Sequence, residues 1–149
     1  MGYFDGSAAG DRKICGACGK LYIFDNHYFS FKVGLGVGTN NFAELCALKL
    51  LLSLAQVKHI NKIQIFGDSQ LVINWAKGKY IIQNIILSHV LLEVNQLSNM
   101  FELVELKHIF CERNTSANDL AKSGAVVMEG YWYIKEFIDS GSFETYQIF

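Results

Sequence analysis

The sequence predicts an α/β domain built on a mixed five-stranded sheet, and three observations carry that prediction. The first third alternates in the manner of strands, through GYFDGS, KICGACGKLYIF and HYFSFKVGLG. Two later strand-like runs, KIQIF at 62–66 and ELVELKHIF at 102–110, are set among helix-length segments. The resulting order, β-β-β-α-β-α-α-β-α, gives three antiparallel strands followed by strands that join in parallel, with helices on the sheet faces.

Each element has a local reason. Asp25–Asn26–His27 makes a hairpin turn between the second and third strands. Thr39–Asn40–Asn41 caps a helix running to about Gln56, with Leu45, Leu48, Leu52 and Ala55 on one face. Ser69 caps a second helix that continues to about Ala76, and AKGKY turns the chain. A third helix covers about 83–98, and RNTSANDLAKSGA forms a last helix with Gly124 near its end. The tail, YWYIKEFIDSGSFETYQIF, is aromatic and has no clear element of its own. The domain division is 1–126 for the sheet and helices, with 127–149 an aromatic extension packed on the same domain.

Composition excludes several classes of function. A chain of 149 residues that is 51% hydrophobic and 13% aromatic can bury a core as one domain. No apolar run approaches the roughly 18–20 residues of a membrane span, and no signal peptide precedes MGYFDGS. An intracellular setting, nucleus or cytoplasm, is expected. The abrupt start suggests a very compact domain or one cut from a longer protein. Cys15 and Cys18 form a C-x-x-C without a second pair at zinc spacing, so they, Cys46 and Cys111 are expected as free thiols. The net charge of −1 rules out a nucleic-acid binder held by bulk electrostatics. A nucleic-acid site here must be local, or must use cations to offset phosphate charge.

Three acids fall at element boundaries: Asp5 in FDGS, Glu44 at the start of the first long helix, and Asp68 in FGDSQ. Strands one and four are expected as central neighbours, with the Glu44 helix packed across them. The three carboxylates then converge at one end of the sheet. Clustered carboxylates repel one another and are stable together mainly around a hard cation.

YFDGS, TNNFAEL-x-A, FGDSQ and a final A-x-x-LA, in that order and spacing, resemble the ribonuclease H family over about residues 2–126. Ribonuclease H domains of plant retroelements and their reverse transcriptases are the most similar group. The resemblance implies a ribonuclease H-like fold and a metal-dependent endonuclease that cuts the RNA strand of RNA–DNA hybrids. Two Mg²⁺ ions, replaceable by Mn²⁺, would be held by Asp5, Glu44, Asp68 and a fourth residue. Ser7, Thr39, Asn40, Asn41, Ser69 and Gln70 match positions facing the hybrid, where polar uncharged groups meet 2′-hydroxyls and base edges. Arg113 is placed to reach a phosphate. The implied partners are the hybrid and, by fusion or association, a reverse transcriptase; the chain itself is expected as a monomer, with no membrane.

The family's fourth acid lies in A-D-x-L-A of the final helix. Here that register reads Ala117–Asn118–Asp119–Leu120–Ala121 and puts Asn118 at the acidic position. At about 100° per residue, Asn118 falls on the edge of the apolar face and Asp119 on the far side, towards solvent. An amide oxygen can ligate a metal without bringing charge, so a weakened nuclease is expected. Two further departures point the same way. The loop before the last helix has no histidine, and only Lys77 and Lys79 stand where some members carry a basic protrusion. His108 is expected to pack beside Val104, Leu106 and Phe110. The alternative reading is a catalytically impaired binding or interaction module. In a scaffold, Tyr131, Trp132 and Tyr133 would form the contact surface.

Overall fold

The first 37 residues of the computed structural model fold as three consecutive antiparallel strands, β1 (Gly2–Ala9), β2 (Ile14–Phe24) and β3 (His27–Val37). The structure describes residues 1–9, 11, 13–109, 131–138 and 141–148. Next come α1 (Asn40–Val57), β4 (Lys62–Gly67), α2 (Gln70–Ala76), α3 (Ile85–Ser98) and β5 (Leu103–His108). Parallel pairing joins β4 to β1 on one side and to β5 on the other. The five expected strands are all present with the expected directions. The final helix expected over residues 113–125 lies outside the described residues, as does Cys111.

The sheet has seven strands rather than five. β6 (Tyr131–Ile138) pairs antiparallel with β3, and β7 (Gly141–Ile148) pairs with β6, giving the order β5-β4-β1-β2-β3-β6-β7. The aromatic tail is therefore a hairpin that extends the sheet beyond β3. Ile134 is buried in the core, the Tyr28 and Phe137 rings stack at 4.6 Å, and His27 pairs with Glu136 at 2.8 Å.

One face of the sheet carries α1. Thr39 caps that helix by accepting a hydrogen bond from Phe42 N–H at 3.1 Å. α1 packs against β1, β2 and α3, so its burial is wider than the one face expected. Leu50, Leu51 and Leu54 are as buried as Leu45, Leu48 and Leu52. Such a helix is enclosed on most sides, which explains a run too uniformly apolar for a surface helix. Gly6 lets β1 and α1 meet: a Cβ there would stand 2.2 Å from the Ala43 carbonyl carbon. On the opposite face, Phe66, Tyr3, Tyr22, Tyr28 and Phe137 form a continuous row of ring contacts across five neighbouring strands. Among the described helices, none is long and apolar enough to cross a membrane. Cys15, Cys18 and Cys46 are buried thiols that take part in no disulfide.

Candidate active site

Parallel pairing of β1 and β4 sets two acids side by side. The register runs Gly2↔Ile65, Tyr3↔Phe66, Phe4↔Gly67, and Asp5 and Asp68 are the next residues along the two chains. Asp68 is not the last residue of its strand. β4 ends at Gly67, and Asp68 stands in the short corner before the Ser69 cap of α2. Glu44 arrives from the other direction, on α1, through the close approach at Gly6. It lies in the second turn of α1, whose first turn has no acid, so it is not the helix-start acid expected from sequence. The reason is that Thr39, Asn40 and Asn41 can each cap a helix, and Thr39 takes that role.

One carboxylate oxygen from each of Asp5, Glu44 and Asp68 lies within 4.8 Å of the others. Asp5 is buried, and Glu44 and Asp68 are half-buried. Burial is the main reason the Asp5 carboxyl is pushed up to about 6, with Asp68 adding repulsion and a hydrogen bond from Glu44 opposing it. Burial likewise pushes Glu44 up to about 9, helped by its hydrogen bond to Asp5 and by the charges of Asp5 and Asp68. Two buried oxygens in this region, Glu44 Oε2 and Ser7 Oγ, have no hydrogen-bond partner. Three converging carboxylates, costly to ionise together and with buried oxygens left unpaired, fit a hard divalent cation bound through oxygen.

The polar residues expected to face a substrate lie on the elements that carry the acids, at the start of α1 and at the corner before α2. Asn40 Oδ1 accepts from Ala8 N–H at 2.7 Å and ties the start of α1 to the end of β1. Thr39, Asn40 and Asn41 are exposed and, with Ala8 and Lys13, line a cleft of about 510 Å³. Ser69 Oγ accepts from Val72 N–H at 3.3 Å, and Gln70 Nε2 donates to Asn74 Oδ1 at 3.1 Å. Asn118 and Arg113 lie outside the described residues, with Asp119 and the loop before them.

Sequence reasoning missed two residues here. Lys13 was expected inside the second strand; it stands in the preceding turn at φ 51° and brings a cation to the cleft. The break in alternation at Asp11–Arg12–Lys13 was the available signal. His108 was expected only to pack. It is half-buried, but its Nε2 lies 3.2 Å from the Asp68 carbonyl oxygen.

A mixed sheet with three acids gathered where β1, β4 and α1 meet defines the ribonuclease H class of protein. Comparison with solved structures agrees. Ribonuclease H1 from the halophilic archaeon Halobacterium salinarum NRC-1 superposes with a TM-score of 0.77 at 27% identity, over 83% of this chain and 94% of that one. The N-terminal ribonuclease H domain of Rv2228c from Mycobacterium tuberculosis gives 0.74 at 20% identity, over 83% and 92%. LC11 ribonuclease H1, crystallised in complex with an RNA/DNA hybrid, gives 0.72 at 22% identity, over 83% and 94%. No curated protein matched the sequence. The reverse transcriptase-like family matches residues 25–124, and the chain belongs to that family, a branch of the ribonuclease H family.

Proposed function

We propose that this chain is a metal-dependent endonuclease that hydrolyses the RNA strand of RNA–DNA hybrids. The observation that carries the reading is the convergence of Asp5, Glu44 and Asp68 within 4.8 Å on a ribonuclease H fold. Asp5, Glu44 and Asp68 would hold two divalent ions, Mg²⁺ or Mn²⁺, with the Asn118 amide oxygen as a fourth, uncharged ligand. Such ions supply a water made nucleophilic near neutral pH and a positive charge against the leaving oxygen.

The protein's own residues bind and orient. Asp5, on the central strand β1, is the most buried of the three acids. Thr39, Asn40 and Asn41 present short polar groups beside the cluster, suited to a minor groove lined with 2′-hydroxyls. Ser69 and Gln70 continue that polar margin, the Ser7 Oγ is buried rather than presented on it, and Arg113 offers a phosphate contact. Lys13 adds a charge-assisted contact at the cleft. The substrate is the hybrid, and the chain acts as a monomer fused to or associated with a reverse transcriptase, in the manner of the plant retroelement domains it resembles. Residues 127–149 belong to the same domain as 1–126, a reading supported by the pairing of β6 with β3.

An end-labelled hybrid distinguishes the reading from its neighbours. The RNA strand should be cut, while the DNA strand and a DNA duplex of the same sequence stay intact. Tight binding of the hybrid without cutting would favour an impaired binding module, for which Asn118 is the specific reason.

A further inference from the structure

Asp68 sits in a corner that is pinned from β5. β4 ends at Gly67 and α2 begins at Gln70, so only Asp68 and Ser69 turn the chain from strand to helix. β5 runs parallel to β4, with His108 paired to Gly67. Two hydrogen bonds reach the corner from the end of β5. The Ile109 N–H donates to the Gly67 carbonyl at 2.9 Å, and His108 Nε2 lies 3.2 Å from the Asp68 carbonyl oxygen. A carbonyl oxygen only accepts, so Nε2 is the donor. The neutral Nε2–H tautomer and the imidazolium meet that requirement equally.

The geometry has a direct consequence for the acid. The Gly67 carbonyl belongs to the peptide plane before Asp68, and the Asp68 carbonyl to the plane after it. Each plane is rigid, so holding both fixes the φ and ψ of Asp68 and with them the direction of its Cα–Cβ bond. An aspartate arm is short, and its carboxylate goes where the backbone aims it.

We propose that His108 is a positioning residue for the acid cluster. Its Nε2–H holds the Asp68 carbonyl and thereby aims the Asp68 carboxylate at Asp5 and Glu44. The proposal deepens the nuclease reading and rests on it. The competing role is space-filling beside the half-buried Val104 and Leu106, and two variants separate the roles. His108→Phe keeps a ring and loses the donor. His108→Gln loses the ring and places an amide N–H at about the reach of Nε2.

The test is an Mn²⁺ titration of the whole chain, followed by thermal melting without substrate, beside steady-state cleavage of a labelled hybrid. The parent melting temperature should rise with Mn²⁺, and Asp68→Asn should abolish the rise. His108→Phe should move the titration midpoint to an Mn²⁺ concentration about tenfold higher, as loss of a group that orients a metal ligand does. Its kcat should fall at the parent's Mn²⁺ optimum while KM for the hybrid stays within about twofold. His108→Gln should return the midpoint to within about threefold of the parent. Parent-like titration by His108→Phe, or a His108→Gln variant as weak as His108→Phe, would overturn the proposal. If the parent shows no Mn²⁺-dependent rise, or Asp68→Asn keeps it, the acid cluster is not the metal site and the role of His108 falls with it.

Discussion

The Glu44 carboxyl, on α1, and the Asp5 carboxyl, on β1, are hydrogen-bonded to each other across the contact that Gly6 allows. The pair therefore shares a proton in the absence of a cation. The folded-state values are about 6 for Asp5 and about 9 for Glu44, against ordinary values of 3.8 and 4.5. Between its ordinary and its raised value, each group binds more protons folded than unfolded, so stability falls as pH rises through that window.

In chelator, the melting temperature is accordingly expected to decline from about pH 4 to about pH 9. Glu44→Gln should flatten the part of the decline above about pH 6, where Asp5 has already ionised. Excess divalent cation should oppose the decline, because the ionised acids bind it. Melting curves across the range provide the check, and a flat profile for the parent in chelator would contradict the shared proton.

Gly6 and Gly78 are expected to matter for different reasons. A Cβ at Gly6 meets the α1 backbone at 2.2–2.4 Å, where nothing soft can yield. Gly6→Ala should cost about 2–3 kcal/mol or more by urea unfolding, and should weaken divalent-ion binding by pushing Glu44 away. Gly78 has open space around it but φ +77°. Gly78→Ala should cost only about 1 kcal/mol and leave ion binding unchanged. Equal effects of the two would mean that the β1–α1 approach does not shape the site.

The β6–β7 hairpin is expected to be part of the fold. Ile134 is 7% exposed and belongs to the core cluster around Phe31 and Val33. Ile134→Ala should lower stability by about 2–4 kcal/mol, read as a single unfolding transition. A loss below about 0.5 kcal/mol would show the hairpin to be loosely attached.

Much of this was legible in the sequence because one face of each early strand is apolar and each described helix begins at a Thr, Ser or Asn cap. Thr39, Ser69 and Asn84 all accept from the backbone N–H three residues on. The hairpin was not legible because both faces of YWYIKEFI are apolar or aromatic. Tyr131, Tyr133 and Phe137 alternate with Trp132, Ile134 and Ile138, so the period-2 contrast that marks a half-buried strand disappears. The acids were readable from their boundary positions, whereas the turn of α1 that holds Glu44 was obscured by three consecutive capping residues. His108 follows the alternation of Val104 and Leu106, as expected. What sequence cannot convey is that β5 ends level with the Asp68 corner, a matter of register between strands about 40 residues apart.

Thr39 links the fold to the proposed substrate surface. Thr39→Ala should cost about 1 kcal/mol as a lost helix cap, and Thr39→Ser should recover most of it. If Thr39 also touches the hybrid, Thr39→Ala should raise the hybrid KM at a temperature where the fold is intact. An unchanged KM would confine Thr39 to capping.

Cleavage of an end-labelled RNA–DNA hybrid in Mg²⁺ and in Mn²⁺ tests the central claim most directly, with Asp68→Asn and Asn118→Asp run beside the parent. The account predicts cation-dependent cutting of the RNA strand, abolished by Asp68→Asn and raised by Asn118→Asp. No cutting by either the parent or Asn118→Asp, in either ion, would contradict it.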